Sequence, residues 1–172
     1  MRTVYLDSVR NDTATTAYAR WLAERGGQVR TASTLPLRMI IIDRETAVVP
    51  IDTDLTQAGV TVMRGSGAIA AMHALFEQVW ATATPLGTPA PRDEYGLTGP
   101  KRALLHLLAH GLSDEAAARK LGVSDRTIRR FIVEFMDHLG ARSRFQAGVL
   151  AHQYGWTHTD DPQAPAGVPC SR

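Results

Sequence analysis

The sequence predicts an α+β chain in two parts: a small α/β domain over residues 1–87 and an all-α four-helix domain over residues 97–156. Three observations predict it. Apolar residues alternate between strand and helix periods before residue 88, and keep only the helical period after residue 97. The segment from Thr88 to Tyr95, TPAPRDEY, has two prolines and no apolar period, so 88–96 reads as a linker. Charge divides at the same place. Residues 1–90 carry eight arginines against eight acidic residues, whereas 97–156 carry nine basic residues against five acidic ones. Seven of those nine lie between residues 119 and 144, the footprint expected of a surface that meets phosphate.

In the first part, Thr3 to Leu6 reads as a strand. Asp12 or Thr13 caps a helix whose inward face is expected to be Ala14, Ala17, Tyr18, Trp21 and Leu22, and Gly26-Gly27 ends it. Val29 to Thr31 is a second strand. Arg38 to Ile42 and Thr46 to Val49 are β-branched runs joined by Asp43-Arg44-Glu45, a hairpin, and Val60 to Met63 is a further strand. A helix after Gly65-Ser66-Gly67 shows Ile69, Met72, Phe76, Val79, Trp80 and Ala83 on one side, with Trp21 and Trp80 read as core.

In the second part, Thr98 starts a helix with Pro100 in its first turn and Leu104, Leu107 and Leu108 inward. Ser113 caps a short helix with Ala116, Ala117 and Leu121 inward. Gly122-Val123 turns the chain. Ser124 caps a longer helix with Ile128, Ile132, Phe135, Met136 and Leu139 inward, and Gly140 ends it. Ser143 to Tyr154 is a fourth helix with Phe145, Val149 and Leu150 expected inward. Residues 157–172, with Pro162, Pro165 and Pro169, read as a flexible tail.

Several function classes are excluded. The single Cys170 rules out a disulfide scaffold and agrees with a reducing, cytoplasmic compartment. The longest clean apolar run, Met39 to Ile42, is far short of a membrane span, and no secretory signal is visible. His106 and His110 share a helix face, but no third metal ligand lies near them. Gly65-Ser66-Gly67 before a helix could receive an anion, although a tight turn is the commoner use of that pattern. The expected inventory is therefore no catalytic residue, no metal and no cofactor.

A short helix, a turn at Gly122 and a longer basic helix make a helix-turn-helix signature. Ala116, Ala117 and Ala118 supply the small residues that let two helices cross closely. Arg126, Arg129, Arg130 and Val133 fall away from the Ile128–Phe135 stripe, where arginine reaches guanine edges or phosphates. The stretch from Leu97 to about Ala151 resembles the LuxR-type four-helix DNA-binding domain. The resemblance is carried by Leu97-Thr98, Leu104-Leu105, Gly111-Leu112-Ser113, Leu121-Gly122-Val123-Ser124, Thr127-Ile128, Leu139-Gly140 and Arg142-Ser143-Arg144. It implies that Arg129, Arg130 and Val133 face bases, that Arg126, Thr127, Arg142 and Arg144 hold the DNA backbone, and that the fourth helix pairs two copies. The sequence departs from that family at Lys101, where glutamate is usual, at Ala116-Ala117 for Glu-Ile, and at Phe131 for histidine.

Such domains often follow a phospho-receiver domain, but residues 1–90 contain no lysine and no adjacent acidic pair near Leu6. The first part instead resembles one half of a degenerate phospholipase-D-like region found in some bacterial regulators. The catalytic His-x-Lys of that family is absent: the matching place is Leu35-Pro36-Leu37-Arg38-Met39 followed by Asp43, and all six histidines lie downstream. A dimerisation or ligand-sensing scaffold is the role left for it. The expected function is a sequence-specific regulator of transcription, a homodimer on two-fold symmetric double-stranded DNA, with RNA polymerase open as a further partner. The alternatives are a promoter-recognition module like the last region of a sigma factor, and a phosphodiester-processing enzyme.

Overall fold

The computed structural model describes residues 1–53 and 55–157; the tail expected over residues 157–172, apart from Thr157, lies outside them, with Cys170. Cα packing divides the chain into two units, residues 1–100 with 120–122, and residues 101–119 with 123 onward.

In the first unit, β1 (Arg2–Leu6) runs parallel to β2 (Gln28–Ala32), pairing Arg2 with Gln28 and Leu6 with Ala32. Parallel neighbours need a crossover, and α1 (Thr13–Glu24) supplies it. Asp12 caps α1 by accepting from the Thr15 N–H at 3.1 Å. The face expected to point inward is corrected by the structure. Ala19 and Leu22 are buried, whereas Ala14 and Ala17 are exposed and Tyr18 and Trp21 keep 47% and 45% of their surface in water. The larger aromatics stack on each other at 5.6 Å, and Arg25 lies 4.1 Å over the Trp21 ring, so that stripe is occupied by its own neighbours.

β3 (Ile40–Ile42), β4 (Thr46–Pro50) and β5 (Val60–Arg64) form an antiparallel sheet in that order, with Ile40 opposite Val48 and Val48 opposite Val62. The hairpin sits at Asp43-Arg44, both at positive φ, with the Glu45 N–H donating to the Ile42 carbonyl. α2 (Ser66–Thr82) packs against this sheet on the side of the fully buried Ala47, with Ile69 and Trp80 inward as expected. The other side leaves Ile40, Ile42, Val60 and Val62 exposed.

Sequence reading did not find β6 (Thr84–Pro85), which pairs antiparallel with β2. Arg10 secures it. Its guanidinium donates to the buried Thr31 hydroxyl (2.9 Å) and to the carbonyls of Pro85, Leu86 and Thr88 at 3.3, 3.2 and 2.7 Å. Arg10→Met should therefore strip one buried hydroxyl and three carbonyls of a charged donor. An expected loss of about 2–3 kcal/mol should appear in urea unfolding of the first unit.

The segment that follows, read as a linker, contains a turn built on Asp93. One carboxylate oxygen accepts from the N–H groups of Tyr95 and Leu97, at 2.9 and 2.8 Å, and Leu97 is buried.

Four helices follow: α3 (Gly99–Ala109), α4 (Asp114–Leu121), α5 (Asp125–Leu139) and α6 (Arg144–Gln153). Serine side chains cap the last three, Ser113, Ser124 and Ser143 each accepting from the N–H three residues on. Leu104, Leu105, Ala117, Ala118, Leu121, Ile128 and Phe135 are buried, so Leu105 joins the core while Leu107 and Leu108 are half-buried.

The inward face expected of α6 is a second correction. Phe145 is 83% exposed and Val149 is exposed, while Ala147 and Ala151 are buried. α6 packs on α5, and two alanines one turn apart allow the backbones to approach where phenylalanine would hold them apart.

Candidate nucleic-acid interface

The turn between α4 and α5 places the site. Gly122 adopts φ +63°, a conformation costly to any side chain, and the Val123 N–H closes onto the Ala118 carbonyl at 3.0 Å. The chain then enters α5 through Ser124, whose hydroxyl also lies 3.0 Å from that of Thr127. Successive residues turn by about 100° along a helix. With Ile128 and Phe135 buried on one side, Arg126, Arg129, Arg130 and Val133 share the opposite side, and all four are exposed. The positive residues occupy the N-terminal half of the stripe. Val133 follows, and Asp137 ends it.

The arginines differ in what holds them. Arg130 Nε lies 3.6 Å from Glu134, and Arg119 pairs with Glu115 at 2.8 Å. Arg144 grips Asp114 through both terminal nitrogens, at 2.9 and 2.6 Å, tying the first turn of α6 to the first turn of α4. Arg126, Arg129 and Arg142 have no ion pair among the described residues. Thr127 is half-buried, its N–H spent on the Ser124 cap. Just before α6 the Gln146 side chain accepts from the Arg142 N–H at 2.8 Å, which fixes the backbone at Arg142.

Sequence reasoning missed Asp114 and Trp156. Tyr154-Gly155-Trp156 carried the signal: a glycine just past a helix, then a large apolar residue. Gly155 stands at φ +74°, the Trp156 N–H reaches the Ala151 carbonyl at 2.8 Å, and the buried indole lies 5.3 Å from the His138 ring.

The Arg144 hydrogen bonds, then its charge and that of Arg129, hold the Asp114 carboxyl below the usual carboxylate range. A carboxyl whose pKa is lower folded than unfolded stabilises the fold above the ordinary range, and that contribution vanishes as pH falls through it. Thermal melts between about pH 6 and pH 3 should therefore lose a smaller acid-sensitive component in Arg144→Met than in the unmodified chain. Equal acid sensitivity of the two proteins would show that the pair contributes no pH-dependent stability.

Elsewhere, His110 Nδ1 lies 2.8 Å from the His106 carbonyl. No group of three or more potential metal-binding side chains occurs among the described residues. No helix among them is long and apolar enough to cross a membrane.

Residues 96–151 match the family described as bacterial regulatory proteins, luxR family. The bialaphos biosynthetic pathway regulatory protein of Streptomyces hygroscopicus is 32% identical over 151 residues, 88% of this chain and 59% of that protein. A match of that length extends into the first unit. Transcriptional regulatory protein YdfI of Bacillus subtilis is 39% identical over 64 residues, 37% of this chain and 30% of that protein. The solved Vibrio cholera VqmA–ligand–DNA complex aligns over 84% of this chain and 63% of that one, at 20% identity and a TM-score of 0.35. The chain thus spans less than two thirds of the curated relatives it matches. Residues 96–151 thus form a helix-turn-helix domain similar to those of the luxR family of bacterial regulatory proteins.

Proposed function

We propose that the chain is a sequence-specific regulator of transcription that binds double-stranded DNA as a homodimer on a two-fold symmetric site. The observation that carries this reading is the exposed stripe Arg126, Arg129, Arg130 and Val133 on α5, turned away from the buried Ile128 and Phe135. Laid in the major groove by its N-terminal half, α5 offers Arg129, Arg130 and Val133 to base edges. Arg126, Thr127 and Arg142 then meet the phosphates, and Arg144 adds its charge from the place where Asp114 holds it. The face of α6 with Phe145, Gly148 and Val149 supports pairing of two copies, since large apolar side chains gain from being covered. Two recognition helices would then address half-sites about 10 base pairs apart.

The first unit is read as a scaffold that senses a ligand or pairs subunits, and its likeness to a phospholipase-D-like half belongs to this reading. The structure describes Leu35-Pro36-Leu37-Arg38-Met39 as the segment between β2 and β3, with Asp43 in the hairpin turn. In this reading the protein is a non-enzymatic regulator of the cytoplasm, in keeping with the regulatory proteins it resembles and with the lack of a His-x-Lys at that segment. Bound at such a site, the protein acts on transcription by contact with RNA polymerase.

Selection from a randomised duplex library across a salt series tests the whole reading. Enrichment of a two-fold symmetric site, with affinity falling steeply as salt rises, is the expected result. Binding without enrichment would overturn sequence specificity, and enrichment of a single half-site would overturn the homodimer.

A further inference from the structure

Glu134 is an acidic side chain on the helix proposed to face DNA, and its two oxygens have different partners. Oε2 lies 2.7 Å from Lys101 Nζ on α3, and Oε1 lies 3.6 Å from Arg130 Nε, one helical turn away. Both cations also sit over one ring: Lys101 is 5.9 Å and Arg130 5.6 Å from the centre of Phe131. Lys101 is the more enclosed of the two, whereas the Arg130 side chain is largely exposed. Lys101 and Phe131 are also two of the positions at which the sequence departs from the family it resembles.

The arrangement has a chemical consequence. A guanidinium offers two edges for paired hydrogen bonds, one formed by its two terminal nitrogens. A carboxylate on the Nε side, at ion-pair distance, attracts Arg130 from that side and leaves its terminal pair without a hydrogen bond to the carboxylate, the edge that matches guanine O6 and N7. A carboxylate with both oxygens unengaged would instead compete for the whole fork. Lys101 removes that competition by occupying the second oxygen.

We propose that Glu134 and Lys101 are positioning residues that hold Arg130 for guanine and so set base preference at the step Arg130 addresses. The proposal rests on the reading of α5 as the base-facing helix, and the experiment separates the two. Site selection is run on the full chain, on Arg130→Ala, on Glu134→Gln and on Lys101→Met, with Lys101→Arg as the conservative variant. Arg130→Ala is expected to erase preference for guanine at one position and so to identify it. Glu134→Gln should weaken the preference at that same position by roughly five- to tenfold. Its binding to unselected duplex should hold or strengthen, because a negative charge has left the surface. Lys101→Met should weaken the same preference, and Lys101→Arg should restore it.

A purely structural role for the pair would lower affinity for all sequences together, and that outcome would overturn the proposal. So would an unchanged guanine preference in Glu134→Gln. If Arg130→Ala alters no position, the base-reading role of Arg130 fails first and the positioning role falls with it.

Discussion

Arg129→Ala is expected to cost about 1–3 kcal/mol of binding to the selected site and to flatten base preference at one position. Arg129 is the arginine of the stripe best suited to this effect. It stands one turn inside α5, is exposed, and has no ion pair among the described residues; Asp114, the carboxylate whose charge attracts it, has both oxygens engaged by Arg144. Arg142 is its natural control. It precedes α6, is exposed, and rests on backbone fixed by Gln146. Arg142→Ala should weaken binding to all sequences alike and reduce the slope of log affinity against log salt by about 1. Titrations of both variants against the selected duplex and a scrambled one, at several salt concentrations, separate base reading from charge. Equal weakening on both duplexes by Arg129→Ala would remove it from the base-reading set.

The second large effect is on stability. Ile128 has no exposed surface and sits where α5 enters the core. Ile128→Ala should cost about 2–5 kcal/mol, from lost transfer energy plus the cavity left behind. For a unit this small that is a large part of its total stability, and the melting temperature should fall by well over 10 °C. Ile128→Val should cost only about 0.5–1.5 kcal/mol. Val133→Ala, on the opposite side of the same helix and 55% exposed, should stay within about 0.5 kcal/mol. Thermal melts of the three variants measure the contrast. A Val133 variant as damaging as the Ile128 variant would mean that the two faces of α5 are not the ones described.

The second unit was largely legible from its punctuation. Ser113 and Ser124, expected as caps, each accept the N–H three residues on, Ser143 at the expected start of α6 does the same, and Gly140 closes α5 at φ +62°. These signals are local, so no tertiary contact overrides them. The inward faces of α1 and α6 were misread for one physical reason. Helical periodicity identifies an apolar stripe but not whether anything in the same unit covers it. In both helices small residues, Ala19 in α1 and Ala147 and Ala151 in α6, turned toward the core, leaving Trp21 and Phe145 outside. Arg10, Asp114 and Glu134 were not legible as network members because Thr88, Arg144 and Lys101 lie 30 or more residues from them along the chain, and sequence spacing carries no sign of such pairings.

The open side of the β3–β4–β5 sheet has a thermodynamic consequence. Ile40, Ile42, Val60 and Val62 keep about half or more of their surface in water in the folded chain, so unfolding wets them far less than fully buried side chains. They add little to the heat-capacity increment, which ordinarily reaches about 12–15 cal/mol/K per residue because buried apolar surface becomes wet. The first unit should therefore unfold with a smaller increment than its length suggests. Its curve of stability against temperature is correspondingly shallow, so the unit loses little of its stability on cooling.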